Sequence, residues 1–248
     1  MNPNLSLRNV AIYHSRVAES KKCVYVGNHR AGSTTIKVLM HVMEGGEIPV
    51  SADGTWDDIH RTGITLSCLL PEKIVEIALS PEWFWFTFVR NPYTRLVSAF
   101  YAKIIPGPRM PEGGWYEYVR CRVRRNGVLT FESFVEYVQW AFKENFPDGS
   151  RERDDHWGIQ SRILLLDLLP YDFIGRFEYF ETGIRLVLDK LGALDLMPLA
   201  MQNHSVTSEK GSKFVYDERL AKIVYEVYRQ DFERFGYEKD SWQQLRGP

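Results

Sequence analysis

The stretch YVGNHRAGSTT, residues 25–35, gathers two glycines, an arginine and three hydroxyl side chains into one short loop. Gly27, Gly32 and Thr34 fit the phosphate-binding spacing G-x-x-x-x-G-K-[ST], but Ser33 stands where the lysine belongs. A loop of this kind feeding a helix makes an anion site. The first helical N–H groups have no partners within the helix, and the helix dipole favours negative charge. Gly32 lets the backbone approach anion oxygens, Ser33, Thr34 and Thr35 add hydroxyl donors, and Arg30 can face a bridging oxygen. Without the lysine, the loop lacks the point charge aimed at a triphosphate tail. The next apolar run ends in Arg90, with no aspartate there to hold magnesium. The chemistry that fits is a short 5′ anion bound without metal. The plainer reading is a strand-to-helix turn whose hydroxyls only cap the helix.

A second group of residues lies at 90–98. Arg90 follows an apolar run at the strand edge where α/β proteins bind ligands, and Ser98 sits two turns into the next helix, with Arg95 on a similar face. A guanidinium and a hydroxyl suit a second phosphate. Taken alone, Arg90 could instead pair with a carboxylate or a helix C-terminus.

Positioning these groups requires strands that alternate with helices. CVYV (23–26), WFWFTFV (83–89) and YDFIGRFE (171–178) read as buried strands. Helical spacing follows each: Ile36, Leu39, Met40 and Met43; a helix from Pro92 to about 104 with Asn91 as cap; and Ile184, Val187, Leu188 and Leu191. Further helices are expected at 5–20, 71–79, from Thr130 onward and at about 217–235, while 106–114 reads as a loop. The alternation predicts an α/β fold with a central parallel sheet, and no composition break divides residues 1–248 into separate domains.

Composition adds limits. The 248 residues carry a net charge of -1, so no overall field favours nucleic acid. Cys23, Cys68 and Cys121 are too sparse and far apart for a disulfide framework or a zinc site. The N-terminal residues show no apolar run of signal or membrane-span length, so a cytoplasmic protein with no membrane span is expected. The run VRCRVRRNG (119–127) would suit an acidic glycan; its plainer reading is a solvated face whose arginines pair with acids.

The segment FTFVRNPYTRLVSAFYAKI (86–104) resembles the 3′-phosphate motif of carbohydrate sulfotransferases, the Golgi-type enzymes and their soluble bacterial relatives. Their pattern V-R-[ND]-P-x-x-R-L-[VI]-S-A-[FY] is met from Val89 to Phe100. DDHWGIQ (154–160), YDFIGRFEYFETGIRLVLDKLG (171–192) and YEVYRQDFERFGY (225–237) are similar to later blocks of that family. The resemblance implies a three-layer αβα sandwich related to P-loop kinases. It also implies sulfuryl transfer from 3′-phosphoadenosine 5′-phosphosulfate (PAPS), leaving 3′-phosphoadenosine 5′-phosphate (PAP), with no metal, to a hydroxyl of a glycan or small-molecule acceptor.

The same resemblance assigns roles. The family loop P-K-x-G-[CST]-[ST] falls on residues 29–34, so Arg30, Ala31, Gly32, Ser33, Thr34 and Thr35 would hold the 5′-phosphosulfate, and Arg90 and Ser98 the 3′-phosphate. Arg30 replaces the usual lysine; tyrosylprotein sulfotransferases carry arginine there. Lys37 matches a basic position and would assist. His60, with Asp57 or Asp58 to orient it, is the expected base, and His156 the runner-up. His156 and Trp157 would face the acceptor, and Lys210, Gly211 and Ser212 would close over the nucleotide. Two other readings fit parts of the pattern: a P-loop small-molecule or nucleoside kinase, which the missing lysine opposes, and an inactive PAPS- or PAP-binding protein, which the arginine at position 30 favours.

Overall fold

A computed structural model describes residues 11–48, 59, 62–105, 115–148, 150, 152–202 and 216–245. In chain order the elements are β1 (Arg16–Ala18), β2 (Cys23–Tyr25), α1 (Ser33–Met43), α2 (Pro71–Leu79), β3 (Phe84–Val89), α3 (Pro92–Ala99), α4 (Trp115–Val123), α5 (Phe131–Lys143), β4 (Phe173–Arg176), α6 (Phe180–Lys190), α7 (Met197–Gln202) and α8 (Glu218–Phe235). The chain packs as two compact units. The first comprises Met1–Val89 with Arg162–His204, the second Arg90–Ser161 with Ser205–Pro248.

The first unit holds the sheet, in the order β1-β2-β3-β4. β2 and β3 are parallel, as are β3 and β4, with Tyr25 opposite Phe86 and Val89 opposite Arg176. The three expected strands are all present, and the mostly parallel α/β sheet is the one their alternation with helices predicts. β3 is apolar apart from Thr87 because both its faces are buried. Tyr25, Phe86 and Phe88 share one core with Ile36 and Leu39 of α1 and Phe180, Ile184, Val187 and Leu188 of α6. Val24, Trp85, Thr87 and Val89, which alternate with them, are also buried.

The helix expected over 5–20 is corrected where it is described. Residues 11–14 make one helical turn, and β1 follows, antiparallel to β2. Ser15 ends the turn: its hydroxyl donates to Ile12 O at 2.6 Å and accepts from Leu66 N at 2.8 Å. Val17 N then donates to Ile64 O at 2.9 Å. Pairing on both sides of a three-residue strand overrides the helical periodicity of the local sequence.

The second unit is helical. Asn91 caps α3, accepting from Tyr93 N at 3.0 Å, with Pro92 in the first turn, and a π-helical stretch continues the helix over Phe100–Ile104. Thr130 caps α5 and Asp217 caps α8. Their apolar faces meet around Tyr93, Phe100, Phe134, Trp157, Tyr228 and Phe232. Among the described residues, no helix is long and apolar enough to cross a membrane.

Candidate anion-binding site

In the first unit the loop 26–32 is built onto the end of β3. Val26 N donates to Phe86 O at 3.0 Å, and Thr87 Oγ1 donates to Val26 O at 2.7 Å. Asn28, fully buried, donates through Nδ2 to Phe88 O at 2.9 Å. These bonds fix the loop as it leaves the sheet. Arg30 sits at φ 67°, a left-handed conformation that a non-glycine residue adopts only when its surroundings impose it. Gly32 caps α1 at φ 79°. A Cβ on Gly32 would lie 2.9 Å from Phe180 Cε2 and 3.3 Å from Phe177 Cε2, so a side chain is excluded both by conformation and by packing.

Gly32, the N-cap residue, has no side chain with which to cap α1. Ser33 and Thr35 are buried and Thr34 half-buried, and Ala31 beside them is enclosed. The first turn of α1 therefore presents backbone donors and hydroxyls without a competing acidic side chain, since none lies in that turn. One turn further in, Lys37 is 2% exposed. Burial, aided by repulsion from Arg16, pulls its pKa down to about 7. His29 stands on the rim, its Nε2 3.3 Å from that of His14.

In the second unit Arg90, Arg95 and Ser98 are all buried. Arg90 is fixed by its backbone. Its N–H donates to Gln160 Oε1 at 2.9 Å, and its carbonyl accepts from Gln160 Nε2 at 2.8 Å. Its Nε donates to Thr94 Oγ1 at 3.0 Å. Gln160 is held in turn by the buried carboxylate of Asp231, which accepts from Gln160 N at 2.8 Å and Ser161 N at 2.9 Å. Arg95 turns away from the role its spacing suggested. Its guanidinium donates to Gly158 O and Asp155 O, each at 2.7 Å, and so braces the segment 152–161.

That segment carries His156. Its Nδ1 donates to Asp154 Oδ1 at 2.6 Å, and Tyr116 Oη lies 3.2 Å from the same nitrogen. Trp157 is 0% exposed, packed edge-on against Phe134 at 5.4 Å with Nε1 donating to Glu152 O. It belongs to the core beneath His156 and offers no surface to an acceptor. The arginine run is largely committed too: Arg120 pairs with Glu117 at 3.5 Å and Arg125 with Glu136 at 2.7 Å, while Arg122 lies over Tyr118 and Trp140.

His60, Asp57, Asp58, Lys210, Gly211 and Ser212 lie outside the described residues. Sequence reasoning missed Asn28 and Asp231, and it named His156 without its contact to Asp154. Only the last had a local signal, a carboxylate two residues before an imidazole.

A left-handed glycine at the head of a helix that follows a parallel strand gives this α/β protein a candidate anion loop. The chain belongs to the sulfotransferase family, whose family model matches residues 13–238. It is similar to carbohydrate sulfotransferase 10 of Xenopus laevis, 24% identical over 246 residues, which cover 91% of this chain and 68% of that protein. The human carbohydrate sulfotransferase 10 is 24% identical over 243 residues, 90% of this chain and 66% of that protein. Carbohydrate sulfotransferase 8 of Mus musculus is 30% identical over 166 residues, 61% of this chain and 39% of that protein. The chain spans about two thirds of the length of the carbohydrate sulfotransferase 10 relatives it matches. No solved structure matches it.

Proposed function

We propose that this protein is a PAPS-dependent O-sulfotransferase that moves a sulfuryl group to a hydroxyl of a glycan or a smaller alcohol. The observation that carries this reading is the family match over 13–238, which takes in the loop, Arg90 and the segment 152–161 together. The anion loop agrees with it in chemistry. A short loop without the triphosphate lysine suits a 5′-phosphosulfate, and Arg30 would neutralise the oxygens that gain charge as the sulfur–oxygen bond breaks. In this reading residues 30–35 hold the 5′ end, Lys37 adds charge beneath it, and Arg90 and Ser98 take the 3′-phosphate. Lys210, Gly211 and Ser212 close over the nucleotide. Residues 1–248 make up a single sulfotransferase domain in this reading, and catalysis rests on positioning and electrostatics without a metal.

The similar proteins are carbohydrate sulfotransferases, so a carbohydrate hydroxyl is the first acceptor class to test. His60 and His156 are the candidates for the base that takes its proton. Sulfur-35-labelled PAPS, offered with a panel of neutral, N-acetylated and uronate-bearing oligosaccharides and simple alcohols, tests the whole reading. Label should move to an acceptor in the presence of a metal chelator. Turnover of ATP instead would mark a kinase, and tight PAP binding with no transfer would mark an inactive binding protein.

A further inference from the structure

We propose that the groove between α8 and the stretch Lys239–Gln243 is a binding site for a neutral oligosaccharide. The site lies wholly within the second unit, and it goes beyond the sulfotransferase reading rather than resting on it.

The hollow measures about 440 Å³, within the size range of small-ligand pockets. One wall is the stripe of α8 at 218, 222, 225, 226 and 229, positions that recur on one face of a helix. The other is 239–243, which runs into a helical turn over Ser241–Leu245. Tyr93 and Trp242, 1% and 6% exposed, lie at the base. Both walls are fixed. Tyr93 Oη donates to Lys239 O at 2.8 Å and lies 3.3 Å from Ala221 O on α8. Asn91 Nδ2 donates to Ser241 Oγ at 2.8 Å, and that hydroxyl donates to Glu238 O at 2.6 Å. Walls that stand in place before a ligand arrives lose little freedom when it binds.

The lining carries both signs of charge in equal number. Lys222, Arg229 and Lys239 border it with Glu218, Glu226 and Asp240, all of them exposed. Glu218 and Lys222, and Lys222 and Glu226, have the spacing of helical ion pairs, yet among the described residues none of the six pairs with another charge. Arg229 and Lys239 lie instead over the ring of Tyr225, 5.7 and 5.3 Å from its centre, and Phe232 braces that ring at 5.2 Å. Elsewhere on the same helix the usual pairing holds, with Arg219 bridging to Glu132 and Glu136 of α5. A solvated helix face accounts for charges at 218–229. It does not account for a hollow that gathers them, unpaired, around aromatic rings.

An anionic ligand would meet three carboxylates here, and a cationic one three basic groups. A neutral sugar meets neither penalty. Each of its hydroxyls both donates and accepts, so carboxylates and cationic N–H groups serve it equally, and its C–H faces pack against an aromatic ring. Gln243 adds an amide that offers both functions. A more open hollow bounded by Asp217 and Arg219 shares Glu218 and Lys222 with the groove. The surface therefore runs on toward the start of α8 and suits a chain of sugars rather than one.

The test is binding, read apart from transfer. Chitotriose, maltotriose and N-acetyllactosamine, with a uronate-bearing disaccharide as the charged comparison, are titrated into the full chain at millimolar concentration and followed by saturation-transfer NMR and calorimetry. At least one neutral saccharide should bind. Tyr225→Ala should weaken that binding at least ~10-fold, and Lys222→Met and Glu226→Gln each about 3–10-fold. Lys222 and Glu226 are exposed and unpaired, so those two variants keep the test decisive should Tyr225→Ala fail to fold. PAP affinity should be the same in every folded variant. Binding of no neutral saccharide, binding of the uronate-bearing one alone, or equal binding by the parent and the variants overturns the proposal. A parent chain that binds a neutral saccharide in the groove but neither binds PAP nor transfers label overturns the sulfotransferase reading and upholds this one.

Discussion

Lys37 should change its charge when the nucleotide binds. An ordinary lysine titrates at 10.5, and burial with the nearby Arg16 brings this one down to about 7. At pH 8 roughly nine tenths of the free protein then holds Lys37 neutral, by simple mass action on that value. A phosphate group seated at the head of α1 favours the charged form, so binding PAP at pH 8 should take up about 0.9 proton at this residue. At pH 6 the lysine is already charged and takes up close to none. Calorimetry in phosphate and in Tris, whose ionisation enthalpies differ, measures this uptake, and Lys37→Met supplies the reference that removes the nucleotide's own titration. Stability carries the same signature. The folded-state value is lowered, so the cost of burying the charge is fully present below about pH 7 and fades as pH rises toward 10.5. The arithmetic gives about 4 kcal/mol at pH 7 and about 2 kcal/mol at pH 9, since a tenfold change in proton affinity is worth about 1.4 kcal/mol. Lys37→Met should therefore be more stable than the parent by a margin that shrinks across that range, while binding PAP at least ~10-fold more weakly. A buffer-independent heat at pH 8, an equal uptake in the variant, or a stability margin that grows with pH would refute the reasoning.

Arg90→Ala should cost about 2 kcal/mol, or ~30-fold, in PAP affinity while leaving affinity for adenosine 5′-phosphate nearly unchanged; an equal loss for both nucleotides removes Arg90 from the 3′ end. Gly32→Ala should destabilise by ~1–3 kcal/mol and weaken PAP binding, because a Cβ there meets Phe180 and a left-handed φ at once. Neutral behaviour in both denaturation and calorimetry would show that the loop adopts another conformation. Gln160→Leu strips both backbone bonds from Arg90, and loss of such buried partners should lower stability by ~2–4 kcal/mol; urea denaturation with an unchanged midpoint would remove Gln160 from that role.

The elements that carry the loop were legible because their signals are local. An apolar run, a glycine-bearing loop and a helical repeat lie within 23–43, and the Asn91-Pro92 start of α3 is written in two residues. β1 was not legible, because its state is decided by β2 and Ile64, not by its own spacing. The residues of the candidate sites follow the same division. Arg30, Gly32 and Arg90 are readable from the loop and the strand end. Asn28, Gln160 and Asp231 act on residues 60 to 71 positions away, and no window of sequence joins them. Trp157 misled for the opposite reason: an aromatic beside a histidine looks like a binding pair, yet its bulk serves the core.

The missing P-loop lysine and the buried Lys37 belong to one argument. Positions 33 and 37 are one turn apart on the same face of α1, so the cation of the ordinary P-loop is replaced by a hydroxyl and a cation recurs one turn deeper. At the loop a lysine is solvated and charged whatever it faces. At position 37 burial makes the charge costly, and the side chain is charged at neutral pH to the extent that an anion above it offsets that cost. Under the proposed sulfotransferase reading it would answer the charge that gathers on the first 5′ oxygens as a sulfuryl group departs, which is where a transferase needs the response to be largest.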